Sequence, residues 1–267
     1  MKKILVPTDF SPNADKALDF ALHIARLNKG EIFLIHAAET YPVEEAILIA
    51  REKLALIRKS ISETESIDIT TEVYADSSIN SIFDAIAHFE IDLIIMGTMG
   101  SAGVKEKIYG SRTAGVIGSS PVPVLAVPLL SEWQNPQKIL LAINEFDEQQ
   151  HLLAPVFTLA NLFNASIQVT IFTDTNDDAV EDYHRNENKI AGYRDVLKSK
   201  YPELGIHAVH LAGHQFFESL QHWIEKEHID IVTMLTHKRN PIESIFNRSK
   251  TKKMSYLTNI PLLAIPV

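Results

Sequence analysis

The run IDLIIMGTMG, residues 91–100, decides the fold class of this chain. Its apolar stretch from Leu93 to Met96 does not alternate with polar residues, and it stops at Gly97. Strands that are buried on both faces have such continuous apolar runs, and they are typical of parallel sheets covered by helices. We therefore predict a buried parallel strand here, followed by a loop at its carboxyl end.

Similar strands recur along the first half of the chain and are separated by helical patterns. The other predicted strands are Ile4–Pro7, Ile32–Ala37, Ile69–Tyr74 and Val124–Val127. The longest of four predicted helices runs from Val43 to about Ser62 and has Ile47, Leu48, Leu54, Ile57 and Ile61 at helical spacing. Because parallel strands need crossover connections, this order predicts an α/β fold with a doubly wound, five-stranded parallel sheet.

The second half of the chain repeats the first. Lys138-Ile139-Leu140-Leu141 repeats Lys3-Ile4-Leu5-Val6 at an offset of 135, and further on Ile229-Asp230 repeats Ile91-Asp92 at an offset of 138. The segment Pro128–Gln137 holds two prolines and polar residues, as a linker does. We predict two tandem domains of the same fold, residues 1–130 and 138–267.

The composition limits the class of protein. Hydrophobic residues make up 46% and charged residues 22%, which is typical of globular proteins. The lack of cysteine removes disulfides and thiolate metal sites and favours the cytoplasm. A net charge of −9 argues against broad attraction to nucleic acid or anionic membranes, and no apolar run reaches membrane-spanning length.

The loop after the strand at Leu93 has the pattern G-x2-G-x9-G-S, formed by Gly97, Gly100, Gly110 and Ser111. Glycine lets the backbone approach a ligand closely, and the amides at a helix N-terminus bind phosphate oxygens. Asp9, in the loop after the first strand, should lie nearby at the same sheet edge. Alternatively, the glycines only shape a loop and Asp9 only forms an Asx turn or a helix cap.

With this motif the chain resembles a tandem universal stress protein, over essentially all 267 residues in its fold pattern. The resemblance implies two adenine-nucleotide alpha-hydrolase-like, Rossmann-like domains that form a pseudo-dimer. It implies a nucleotide site in the first domain made of Pro7, Thr8, Asp9, Ala37, Met96, Gly97, Gly100, Gly110, Ser111, Arg112 and Thr113.

The resemblance also implies a role for each of these residues. Asp9 faces the adenine or the ribose with Pro7 and Thr8 beside it, and Ala37 lines the adenine pocket. Met96 leads into the phosphate loop, whose three glycines and Ser111 surround the ribose and phosphates. Arg112 and Thr113 match the last positions of the family motif.

The second half has lost this motif. Leu235, Lys238 and Arg248 stand where the first half has its three glycines, while Ser249 and Thr251 keep hydroxyl groups. On the base side Asn144 replaces Asp9, and Phe172 replaces Ala37 with a ring that could fill an adenine-sized space. We therefore predict one nucleotide per chain. The basic residues from Lys238 to Lys253 either attract another anion or an acidic partner, or form a solvated helix face.

The second half is also rich in histidine, since seven of the eleven histidines lie between His184 and His237. Three of them, His207, His210 and His214, invite a zinc hypothesis. Their spacing crosses a predicted strand, where His207 and His210 should point to opposite faces. We therefore predict no metal site.

The chain lacks the motifs of several common enzyme classes. It has no P-loop, no G-x-G-x-x-G fingerprint after the first strand and no G-x-S-x-G elbow. Nor does its loop carry an evident constellation for phosphoryl transfer. The expected function is a stress-response regulator that binds ATP, with or without Mg²⁺, and hydrolyses it slowly at most. A homodimer and an unidentified protein partner are also expected. The alternatives are a nucleotide-independent structural adaptor and a true ATPase.

Overall fold

The computed structural model describes residues 1–39, 42–98, 111–143, 146, 150–176, 180–236 and 259–266. The chain divides into two compact units, Met1–Trp133 and Gln134–Val267. The division falls inside the segment Pro128–Gln137. None of the helices in the described ranges is long and apolar enough to cross a membrane.

The first unit is built on a sheet of five parallel strands. The strands are β1 (Lys3–Pro7), β2 (Glu31–Ala37), β3 (Ile69–Tyr74), β4 (Leu93–Gly97) and β5 (Val124–Val127). Their spatial order is β3-β2-β1-β4-β5, and every neighbouring pair is parallel. The predicted α/β class and parallel sheet are confirmed, with strand ends within one residue of the predicted ones.

Helices connect these strands. They are α1 (Pro12–Asn28), α2 (Val43–Thr64), α3 (Ser78–Phe89) and α4 (Ser111–Ser119). The sequence sets where α1 begins, because the hydroxyl of Ser11 accepts a hydrogen bond from the Ala14 N–H at 3.3 Å and Pro12 opens the first turn. Ser77 caps α3 in the same way through the Asn80 N–H.

The predicted apolar stripe of α2 is partly wrong. The side chain of Leu48 is 61% exposed, whereas Ala50, Leu54 and Ile61 are buried. This helix packs on β3, the edge strand of the sheet, so it buries a narrow stripe rather than a broad face.

The second unit repeats this topology. Its strands are β6 (Lys138–Ile143), β7 (Ser166–Asp174), β8 (Ile206–Gly213), β9 (Ile231–Thr236) and β10 (Leu262–Pro266). Their spatial order is β8-β7-β6-β9-β10, which matches β3-β2-β1-β4-β5 of the first unit. The described helices are α5 (Ala154–Phe163), preceded by a 3-10 turn at Gln150–Leu153, α6 (Val180–Lys200) and α7 (Phe216–Glu227). The neighbouring strands are again parallel.

A repeated aspartate holds the amino end of the central strand in each unit. One carboxylate oxygen of Asp92 accepts hydrogen bonds from the backbone N–H groups of Lys2 and Lys3, at 2.7 and 3.0 Å. Asp230 does the same for Gln137 and Lys138, at 2.8 and 2.9 Å. The repeated Ile-Asp pair in the sequence therefore has a structural reason.

Candidate functional site

The topology of the first unit creates a crevice at the carboxyl ends of β1 and β4. These strands are neighbours, with Ile4 beside Leu93, but β1 continues toward β2 on one side and β4 toward β5 on the other. Ligands of doubly wound sheets bind where the strand order reverses in this way. The fold thus brings the loop after Pro7 and the end of β4 at Gly97 to one place.

The loop after β1 is held by hydrogen bonds. The Thr8 N–H donates to the carbonyl of Ile35 at 2.8 Å, and the Thr8 hydroxyl accepts from the Phe10 N–H at 3.0 Å. Oδ1 of Asp9 accepts from the Ser11 N–H at 3.1 Å, so Asp9 does form the Asx turn considered as an alternative. This turn uses one of the roughly four acceptor positions that a carboxylate offers.

Phe10 and His36 also shape this loop, and sequence analysis did not identify them. Phe10 has a φ of 60°, an uncommon value for a residue with a side chain. Its ring stacks on the ring of His36 with centroids 4.5 Å apart, and Nζ of Lys53 lies 4.9 Å from its centroid. Nδ1 of His36 is 2.8 Å from the carbonyl oxygen of Thr8. These contacts fix the loop on the opposite face of β2 from Ala37.

Ala37 ends β2 on the face covered by α3. Strand alternation places it on the same face as Phe33, whose ring lies 4.6 Å from that of Phe89. Its neighbour in the sheet is Tyr74, the last residue of β3. Burial, followed by the negative charges of Glu72 and Asp84, raises the pKa of Tyr74. A small side chain at position 37 thus lies beside a neutral phenol.

Gly97 is required by packing inside the protein. A Cβ atom added here would lie 2.4 Å from Nδ2 of Asn13 and 2.7 Å from the carbonyl oxygen of Asn13. The first turn of α1 therefore packs directly on the end of β4. This contact explains the glycine without any ligand, which the sequence interpretation did not foresee. Met96, the preceding residue, is only 6% exposed and belongs to the core.

The start of α4 is tied to its surroundings through the two residues after Ser111. The buried hydroxyl of Thr113 donates to the carbonyl of Gly97 at 2.7 Å, which joins α4 to β4. Arg112 donates through Nη2 to Oε2 of Glu39 at 2.9 Å. Gly100, Gly110 and the side chain of Ser111 lie outside the described residues.

Negative charge gathers at the opposite side of the crevice. Partial burial, followed by the charge of Asp9, raises the pKa of Asp15 in the first turn of α1. A phosphate group would be repelled by these two carboxylates, whereas hydroxyl and amino groups can donate to them. The two sides of the crevice therefore differ in chemistry.

The second unit carries bulkier side chains at two positions that match candidate site residues of the first unit. Leu235 occupies the position that matches Gly97, and Phe172 the position that matches Ala37. The Phe172 ring makes an edge contact with Phe216 of α7, with centroids 5.3 Å apart. Asn144, Lys238, Arg248, Ser249 and Thr251 lie outside the described residues.

His207 and His210 lie on opposite faces of the sheet of the second unit. His210 lies on the α6 side, where its Nε2 is 2.7 Å from the Thr173 hydroxyl and its ring is 4.5 Å from that of Tyr183. His207 pairs with Gln168, whose side chain accepts from Trp223 of α7 on the other side. Across the described ranges, no three His, Asp or Glu side chains are grouped as metal ligands would be.

The strand order defines a doubly wound α/β protein with a topological switch point between β1 and β4. A sequence profile of the universal stress protein family matches residues 1–128. Universal stress protein MJ0577 of Methanocaldococcus jannaschii is 31% identical over 152 residues, which cover 47% of this chain and 94% of that protein. Universal stress protein MJ0531 of the same organism is 28% identical over 138 residues, with 47% and 81% covered. The chain belongs to the universal stress protein family, as its sequence pattern predicted.

The fold likeness extends over both halves. The crystal structure of a universal stress protein from Archaeoglobus fulgidus matches 98% of this chain and 97% of its own, with a TM-score of 0.76 and 16% identity. At this identity the match shows the fold alone. Family membership places the chain among stress-response proteins.

Proposed function

We propose that the first unit binds one adenine nucleotide, ATP, and that the chain is a stress-response regulator whose state depends on this occupancy. The observation that carries the proposal is the crevice between β1 and β4. It is flanked by Asp9 on one side and by the start of α4 on the other. Doubly wound sheets bind nucleotides at this position, with phosphates at a helix N-terminus.

The charges suggest how the nucleotide is oriented. Asp9 and Asp15 disfavour phosphate on the β1 side, so the ribose hydroxyls and the adenine amino group would lie there. Arg112 is in the first turn of α4, where a guanidinium and helix N–H groups favour the phosphates. Ala37, with its small side chain, leaves room for a base at the end of β2.

The described residues fit ATP better than they fit a metal held by protein alone. They provide carboxylate acceptors on one side and a guanidinium on the other. Mg²⁺ commonly keeps several waters and binds through substrate phosphates with one or two carboxylates. When Mg²⁺ accompanies ATP, its main ligands would therefore be phosphate oxygens and water.

The proposal gives the chain a regulatory role with slow hydrolysis at most. Asp9 is assigned to the base side, so it does not position a water molecule for attack on a phosphate. We further propose that the protein works in the cytoplasm, as a homodimer or with a protein partner that senses occupancy. If the protein hydrolyses ATP over multiple turnovers, it is an ATPase and the proposed regulatory role is wrong.

The test is a calorimetric titration of ATP, ADP and AMP, with and without Mg²⁺. The Ala37→Phe variant gives the first unit the residue type that the second unit has at the matching position, Phe172. It should weaken ATP binding at least tenfold (about 1.4 kcal/mol), because the ring would fill the base position. Phe172→Ala is the matched control, and it should leave ATP affinity unchanged. If wild-type protein binds no nucleotide at millimolar concentration, the chain is a structural adaptor instead.

A further inference from the structure

The carboxylate of Glu39 joins three elements at the edge of the candidate site. Glu39 lies two residues after the end of β2, and its Oε2 accepts from Arg112 of α4 at 2.9 Å. Its Oε1 accepts a short hydrogen bond from the Ser78 N–H, in the first turn of α3. A single side chain thus holds the only described cation at the start of α4.

We propose that Glu39 competes with nucleotide phosphate for Arg112, and so sets how strongly the site prefers ATP over AMP and adenosine. The proposal rests on the nucleotide site proposed above. A carboxylate and a phosphate present similar pairs of oxygens to a guanidinium, so the same N–H groups serve either one or the other. Arg112 must leave Glu39, at least in part, before it can grip a phosphate.

The exposure of the pair makes such an exchange feasible. The side chains of Arg112 and Glu39 are 50% and 38% exposed, and ion pairs in this setting are weak. A triphosphate carries more negative charge than one carboxylate and can take the guanidinium. Glu39 keeps its place when Arg112 leaves, because the Ser78 N–H and the positive end of the α3 dipole still hold its carboxylate.

The experiment is a double-mutant cycle read by titration calorimetry of ATP, AMP and adenosine. Glu39→Gln keeps an acceptor for Ser78 but frees Arg112, and it should tighten ATP binding about fivefold, equivalent to about 1 kcal/mol. Adenosine affinity should stay within about twofold, since it has no phosphate. Arg112→Gln should weaken ATP binding and bring the ATP and AMP affinities closer together. In the Arg112→Gln background, Glu39→Gln should then have no effect on ATP.

Glu90→Gln is the matched control for charge. It removes the same charge from an exposed ion pair with Lys3 at the other end of the sheet, and it should leave all affinities unchanged. A Glu39→Gln gain that is equally large with and without Arg112 would mean simple repulsion, and would overturn the proposal. So would an unchanged ATP affinity in Glu39→Gln.

Two further readouts separate the possible failures. If Glu39→Gln does not fold, Arg112→Gln alone tests the proposal. If Arg112→Gln still prefers ATP over AMP, Arg112 does not set this preference and the proposal is overturned. If wild-type protein binds ATP but the cycle shows no coupling, only this inference fails. If wild-type protein binds no adenine nucleotide, the proposed function fails and the inference falls with it.

Discussion

Packing inside the first unit requires a glycine at position 97. The side chain and backbone of Asn13 fill the space where a Cβ atom would lie. A glycine at the end of β4 therefore holds α1 close to the sheet, which in turn places the Asp9 loop.

We expect Gly97→Ala to lower the free energy of unfolding of the first unit by about 1–3 kcal/mol, the usual cost of overpacking. Urea denaturation measures this loss. The control is Gly192→Ala in α6, where an added Cβ meets no atom within 4 Å and alanine is the better helix former. If Gly97→Ala were as stable as wild type, the packing explanation would be wrong.

His210 gives the second unit a pH-dependent stability. Burial lowers the pKa of His210, and the nearby charge of Glu187 offsets this only in part. Nδ1 is buried and has no hydrogen-bond partner among the described residues, while Nε2 is engaged with Thr173. The folded state therefore favours the neutral ring, and the unfolded state binds the proton more readily.

Stability due to His210 should be present above its ordinary pKa of about 6.5 and be lost as the pH falls toward the lower folded value. His210→Gln should flatten this decline below about pH 6.5, whereas His207→Gln on the other face should not. Fluorescence of Trp223 in a Trp133→Phe background reports unfolding of this unit. Equal pH profiles for wild type and His210→Gln would contradict the assignment.

The candidate site could be predicted from the sequence only where a residue follows a strand. The sequence predicts that Asp9 and Gly97 lie at one sheet edge, because each lies at the end of a strand in a parallel sheet, and β1 and β4 are indeed neighbours. The pairing of Glu39 with Arg112 could not be predicted from the sequence, because it joins residues 73 positions apart with no local pattern. Phe10 was missed for a similar reason, since its positive φ depends on packing against His36.

At the scale of the elements, Asp92 and Asp230 complete the amino ends of the central strands. Partial burial would raise the pKa of Asp92, but the N–H groups of Lys3 and Lys2 outweigh it and lower the pKa. The carboxylate thus satisfies backbone donors that precede or begin β1. The stabilisation should be present above the ordinary pKa of the carboxyl group and be lost as the pH falls through the lowered value.

We expect Asp92→Asn to destabilise the first unit by about 1 kcal/mol at pH 7, because a neutral acceptor replaces a charged one in a partly exposed setting. The difference from wild type should shrink as the pH falls through the lowered pKa of Asp92, because the wild-type carboxyl group then becomes protonated. Unfolding is followed through Trp133 in a Trp223→Phe background. Asp68→Asn is the control, because it removes the same charge from an exposed position. If Asp68→Asn lowers the free energy of unfolding as much as Asp92→Asn does, the capping role of Asp92 is wrong.

The strands were easier to predict than the packing of the helices. Continuous apolar runs such as Leu93–Met96 mark strands buried on both faces, and their ends were placed within one residue. The pattern of α2 could not show which of its apolar residues are buried. Leu48 is exposed because this helix covers an edge strand, a fact that depends on strand order rather than on local sequence.

At the scale of the whole molecule, the two units have the same strand topology but different side chains at matching positions. The strand orders match, and each central strand is held by the same aspartate. Leu235 and Phe172 are bulkier than Gly97 and Ala37, the residues at the matching positions of the first unit. The two units therefore share one strand framework and differ at these two positions.

The most direct test of the account is the number of ATP molecules bound per chain, counted by native mass spectrometry across a titration. We expect one ATP per chain at saturation in wild type and in Phe172→Ala, whereas Ala37→Phe should need an ATP concentration at least about tenfold higher to reach it. Zero ATP bound by wild-type protein, or two per chain, would contradict the account.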